Sequence, residues 1–142
     1  MPNPSLSPRR TASGLLLLRI FVGWVLLTED IQNSLFPAAL GPGRFAKVGI
    51  PAPQFTGPFV GCMEIVCGAT LIAGFYTTLA VAPLLMVILM AIATTKVPRL
   101  VHQGFWATMH EARADFCMLL GLIPIALLGA GDLSIDERRR AG

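Results

Sequence analysis

The chain has 142 residues, 54% of them hydrophobic and 13% charged, with a net charge of +3. A water-soluble domain carries about 25% charged residues; at half that fraction, and with a mean hydropathy of +0.69, this chain cannot clothe itself in a polar surface. Soluble enzyme domains, disordered segments and collagen-like chains are excluded, which leaves an integral membrane protein. Its basic residues stand in the tails and between apolar runs, not on a face interleaved with aromatics, so no nucleic-acid partner is implied.

Residues 1–13, rich in Pro and Ser and containing Arg9 and Arg10, read as a flexible leader. The first apolar run, 14–27, leads into Thr28-Glu29-Asp30-Ile31-Gln32-Asn33 without a small-residue cleavage site, so it reads as a membrane helix and not a signal peptide. Three more apolar runs follow, at 55–76, 78–95 and 114–130. A span needs about 20 mostly apolar residues, and with their flanks the four runs predict spans at 14–36, 55–76, 78–96 and 112–130. The predicted fold class is all-α: an integral membrane four-helix bundle of antiparallel helices, one domain over 14–131, with a polar tail at 132–142. Pro58 is placed in the first turn of the second span, where its missing N–H costs nothing. Pro83 and Pro124 are expected to kink the third and fourth.

The turn at residues 75–78 is short enough to make the second and third spans antiparallel neighbours. Residues 37–54, dense in Pro and Gly, predict a turn-rich cap, and residues 96–113 a second long loop on the same, outer face. The basic residues divide evenly between the two faces. The first span breaks the tie, with Arg9 and Arg10 before it and Glu29 and Asp30 after it, which places both termini in the cytoplasm of a bacterial inner membrane. Cys62, Cys67 and Cys117 form no CxxC pair and are expected to be buried, inert thiols.

Ionisable side chains inside spans are costly and are functional candidates by default. Arg19, Gly23, Leu26, Asp30 and Asn33 recur at helical spacing, and so do Gly57, Gly61, Glu64 and Gly68. Both stripes predict inward faces, since small residues let helices approach closely. Arg19, Glu64 and Asp30 therefore form the candidate intramembrane polar site. Arg19 and Glu64 can be read as a buried ion pair fixing helix register, or Glu64 as a proton-exchanging or ligand-lining carboxyl.

A second cluster, His102, His110, Glu111 and Asp115, lies on the predicted outer face, with Phe105 and Trp106 at headgroup level as an aromatic belt. The spacing matches no HExxH pattern, and the cluster reads as interfacial hydrogen-bonding groups with no metal assigned. No phosphate loop, haem ligand pair or flavin fingerprint is present, and no catalytic residue is assigned.

The Arg19 span, Glu29-Asp30-Ile31-Gln32, the loop from Gly43 through Pro53, the segment from Phe59 to Glu64, Gly104-Phe105-Trp106, His110-Glu111 and the closing Gly129-Ala130-Gly131-Asp132 together resemble the DoxX family of small prokaryotic membrane proteins. The chain departs from the family pattern at Asp30, Asn33 and Thr78, changes that remove positive charge or add negative charge. The resemblance implies a four-helix inner-membrane protein linked to quinone-dependent sulfur, thiol or oxidative-stress metabolism. Three roles follow from it and from the polar residues. The first is a redox-associated subunit that meets quinone or redox partner proteins. The second is a small homo-oligomeric transporter or proton carrier using Arg19 and Glu64. The third is a membrane scaffold.

Overall fold

A computed structural model describes residues 8–38 and 41–142. Among them it is all-helical, in the order α1 (Pro8–Leu35), α2 (Pro42–Lys47), α3 (Pro53–Ala73), α4 (Thr77–Ala91), a π-helical segment (Ile92–Lys96), α5 (Val97–Gln103), α6 (Phe105–Leu128) and α7 (Ile135–Ala141). Part of the expected leader, residues 1–7, lies outside the described residues; from Pro8 onward the chain is already α1.

Helix ends follow local chemistry. α1 stops at Leu35, two residues before Pro37, which cannot continue a helix. α3 begins with Pro53 in its first turn, earlier than the sequence suggested, so Pro58 is an interior proline. It ends on Gly74 at φ +69, where the amides of Gly74 and Phe75 close back onto the carbonyls of Leu71 (3.1 Å) and Thr70 (2.9 Å). α7 opens on Ser134, whose hydroxyl accepts from the Glu137 amide at 3.2 Å. The expected polar tail is thus partly a capped helix.

The largest difference from expectation lies at residues 96–113, read from the sequence as a loop. α4 continues through the π-helical segment into α5, giving one apolar helical stretch, Thr77–Gln103, of 27 residues. The helix runs on through Pro98: a proline ring clashes with the carbonyl four residues back, and the wider π turn that ends at Lys96 makes room for it. The chain turns at a single residue, Gly104, at φ +83 and ψ 173, a conformation that suits glycine, and α6 begins at once. Of the two connections expected to be long, the first, which contains α2, is long and the second is the single residue Gly104.

Three helical stretches are long and apolar enough to cross a membrane: Arg9–Leu35, Pro53–Ala73 and Thr77–Gln103. α6 has the length, but Glu111, Arg113 and Asp115 interrupt its first half and confine the charge-free stretch to residues 116–128. α1 packs on α3 and α6, and α4 packs on α3 and α6. The core where they meet holds Leu15, Val22 and Leu26 of α1, Leu71 of α3, Val81, Leu84 and Ile88 of α4, and Leu122 and Ile125 of α6. α1 and α3 approach most closely at glycines. A Cβ on Gly23 would lie 2.7 Å from the Gly68 carbonyl oxygen, closer than packed atoms allow. Outward, Trp24, Phe59, Leu79, Met86, Leu120 and Leu127 are all exposed, an apolar girdle far larger than a soluble surface tolerates and suited to lipid.

Candidate functional site

The helical stripe on α1 faces inward. Arg19 is 1% and Asp30 2% exposed, and Gly23 and Leu26 between them are buried. Arg19 and Asp30 nevertheless lie about 16 Å apart along the helix axis, at a rise of about 1.5 Å per residue, and they serve different ends of the molecule.

Arg19 reaches the end that holds the α3–α4 turn and the C-terminal segment. Its Nη1 donates to the Ala130 carbonyl at 2.5 Å and its Nη2 to the Leu133 carbonyl at 2.7 Å. Gly74 lies against the guanidinium so closely that a Cβ there would collide with Nη1 and stand 2.7 Å from the Ser134 Cβ. Asp136 completes this end: its carboxylate accepts from the amides of Tyr76 (2.8 Å) and Thr77 (2.9 Å), orphan donors at the start of α4. The pairing of Arg19 with Glu64, one of the two sequence readings, is not what the geometry brings together. Helical spacing places both residues on inward faces but does not fix which group the long Arg19 side chain reaches.

Glu64 lies beside Asp30. Both face a cavity of about 300 Å³ between α1, α2 and α3, whose wall also includes Asn33, Phe45, Val60 and Ile65. Among the described residues neither carboxylate oxygen of Asp30 accepts a hydrogen bond from an N–H or hydroxyl placed to donate one, although both are buried; the side chains beside it are the second carboxyl, Glu64, and Asn33. Buried polar groups are ordinarily satisfied, and a carboxylate in an apolar setting is costly. A buried carboxyl set against another carboxyl on a cavity wall is therefore the strongest local sign of a group that can meet a ligand or share a proton. The α2 cap positions the wall: Pro42 sits tightly over Gly57, at 3.2 Å from where a Cβ would stand, so only glycine lets the cap close down on α3.

The second polar cluster, at the α5–α6 elbow, is organised by a residue the sequence did not single out. Lys96, 5% exposed, pairs with Glu111 at 3.4 Å and Asp115 at 3.2 Å, and Arg99 pairs with Glu111. His110 is exposed and meets Arg113, Nη1 to Nδ1, at 3.2 Å; His102 is exposed at the end of α5. Phe105 and Trp106 are exposed at the elbow, their rings edge to face at 5.3 Å. Lys96 resembled an ordinary basic flank; the signal that could have marked it was its helical register with Arg99 once the loop reading was set aside. The thiols are also not where expected: Cys62 and Cys117 are exposed and Cys67 half-buried, with Cys62 on the wall of the Asp30 cavity.

The DoxX family profile matches residues 14–97, more than half of the chain. The chain belongs to the DoxX family. The matched region carries Arg19, Asp30, Glu64 and Lys96 and so the whole carboxyl cavity, whereas the acceptors of Arg19, Ala130 and Leu133, lie beyond it. An uncharacterized membrane protein of Mycobacterium tuberculosis is 43% identical over 127 residues, covering 85% of this chain and 78% of that relative. No solved structure matches the chain.

Proposed function

We propose that this DoxX protein is a redox-associated subunit of the bacterial inner membrane that binds a quinone-type headgroup in the Asp30–Glu64 cavity. In this reading α1, α3, the α4–α5 stretch and α6 cross the bilayer as an antiparallel four-helix bundle with both termini in the cytoplasm. The observation that carries the assignment is the buried Asp30 carboxyl, whose oxygens have no fixed donor among the described residues, beside the Glu64 carboxyl in a largely apolar cavity. Small-molecule sites combine apolar walls with a few convergent polar groups, and about 300 Å³ is at the lower end of their range. The fit is chemical. The ring hydroxyls of a quinol donate to carboxylates, and a carboxyl group carrying a proton donates to a quinone carbonyl. The bound headgroup would supply the two-electron chemistry, while the chain supplies the acceptors, the walls and the α2 cap. Redox partner proteins would dock on a chain that has no electron carrier of its own.

A second reading, a small oligomeric proton or solute carrier, is favoured by the same two carboxyls, since intramembrane carboxyl pairs also serve proton relays. In that reading the pair is Asp30 with Glu64 and not Arg19 with Glu64. Gentle purification followed by mass spectrometry of the retained small molecules separates the two. A quinone travelling with the protein supports the redox subunit. A quinone-free protein whose proteoliposomes acidify, and lose that activity in Glu64→Gln, supports the carrier and overturns the first reading.

A further inference from the structure

The elbow between α5 and α6 has its own chemistry, independent of the carboxyl cavity. Lys96, Arg99 and Arg113 bring three positive charges to it, against the two carboxylates Glu111 and Asp115. Both carboxylates are engaged, Glu111 by Lys96 and Arg99 and Asp115 by Lys96. Among the described residues the one side-chain partner of Arg113 is His110. A guanidinium has donors and no acceptor, so the His110 Nδ1 accepts, and the ring presents its other nitrogen, Nε2, as an N–H donor. Arg99, His110, Glu111 and Arg113 line an open groove of about 570 Å³ together with Ala107 and Ala114. The groove sets two guanidinium groups against one carboxylate, and exposed Trp106, edge to face with Phe105, stands one and two helical turns before His110 and Arg113 on the same face of α6.

We propose that this groove holds the phosphodiester of an anionic phospholipid at headgroup level, with Arg99, Arg113 and His110 as its donors and the Phe105–Trp106 pair against its acyl chains. Two features choose a lipid over a free anion. The aromatic pair beside the donors offers nothing to a small hydrated ion, whereas Trp at a membrane face packs against lipid at the headgroup boundary. The charge balance chooses an anionic over a zwitterionic lipid. Both carboxylates are already engaged, so a choline headgroup would bring its own cation against Arg113.

The test is native mass spectrometry of the full chain released from nanodiscs of equimolar phosphatidylglycerol and phosphatidylcholine. Phosphatidylglycerol is expected to be retained in preference. Arg113→Gln should reduce that preference about fivefold, in line with about 1 kcal/mol per basic residue at a membrane surface. Lys47→Gln, which removes an exposed charge on α2, should leave it unchanged. Should Arg113→Gln fail to fold, His110→Ala reads the same groove. Equal retention of the two lipids, or equal losses in the Arg113 and Lys47 variants, would overturn the proposal. So would inorganic phosphate binding to the detergent-purified protein without any lipid preference, which would mark a free-anion site instead.

Discussion

The Arg19 guanidinium donates to the Leu133 carbonyl at 2.7 Å, tying the first membrane helix to the segment that precedes α7. Its other terminal nitrogen holds Ala130, so the buried charge is hydrogen-bonded to carbonyl dipoles, with the Asp136 carboxylate near enough to add its field. Hydrogen bonds from a charged group contribute about 1.5–3 kcal/mol each, and carbonyls left behind by truncation lose their donors. Arg19 is thus an anchor for the C-terminal end of the chain.

Arg19→Gln should destabilise the protein by about 3 kcal/mol in detergent unfolding. Its effect should add to that of Glu64→Gln within about 0.5 kcal/mol, as for sites without shared partners. A double-mutant cycle checks this, and strong coupling between the two would restore the ion-pair reading that the geometry set aside.

Asp136 ties the same end to α4. Burial alone would raise its pKa, but the amides of Thr77 and Tyr76, with the Thr77 hydroxyl and the nearby Arg140, outweigh it and hold the carboxyl below its ordinary value. A carboxyl lowered by folding contributes stability that is full above its unfolded pKa, about 3.9, and is lost as pH falls through the lower folded value. The gap in unfolding midpoint between wild type and Asp136→Asn should therefore be constant from neutral pH down to about 5. Below that it should close, and a gap that widened on acidification would contradict the capping role.

Lys96 is the buried hub of the elbow, and its partners are only partly covered, with side chains 38% and 23% exposed for Glu111 and Asp115. Lys96→Met should cost about 1–3 kcal/mol, because two carboxylates lose their shared cation while solvent offsets part of the loss. Adding Glu111→Gln and Asp115→Asn to Lys96→Met should recover much of it, since removing a whole charged cluster is milder than breaking it. Thermal unfolding of the single and triple variants reads both effects.

The membrane class and the positions of the helices were legible in the sequence, because runs of apolar residues at 14–27, 55–76 and 78–95 leave the backbone no alternative in lipid but to bond within a helix. The inward stripes of α1 and α3 were legible too, through Gly23 and Gly68. The pairing was not: residue positions set Arg19 toward one end of the first span and Glu64 near the middle of the second, a gap a long Arg side chain could close, but the guanidinium turns to Ala130 and Leu133 instead. Residues 96–113 read as a loop because polar and charged side chains separate the apolar runs there, whereas the chain stays helical through Gln103 and starts a new helix at Phe105. Lys96 stayed hidden for the same reason, since in a loop it would have been a solvated flank. The cavity arises from α2 closing over Gly57, a tertiary contact that no local pattern announces.

The carboxyl cavity carries the functional reading, so the decisive measurement is the amount of quinone retained per chain by gently purified wild type, Asp30→Asn and Arg19→Lys. Wild type and Arg19→Lys should retain a quinone, and Asp30→Asn, altered only at the buried carboxyl, should lose most of it while unfolding at a similar temperature. Retention by Asp30→Asn equal to that of wild type, or no quinone in any of the three, would contradict the account.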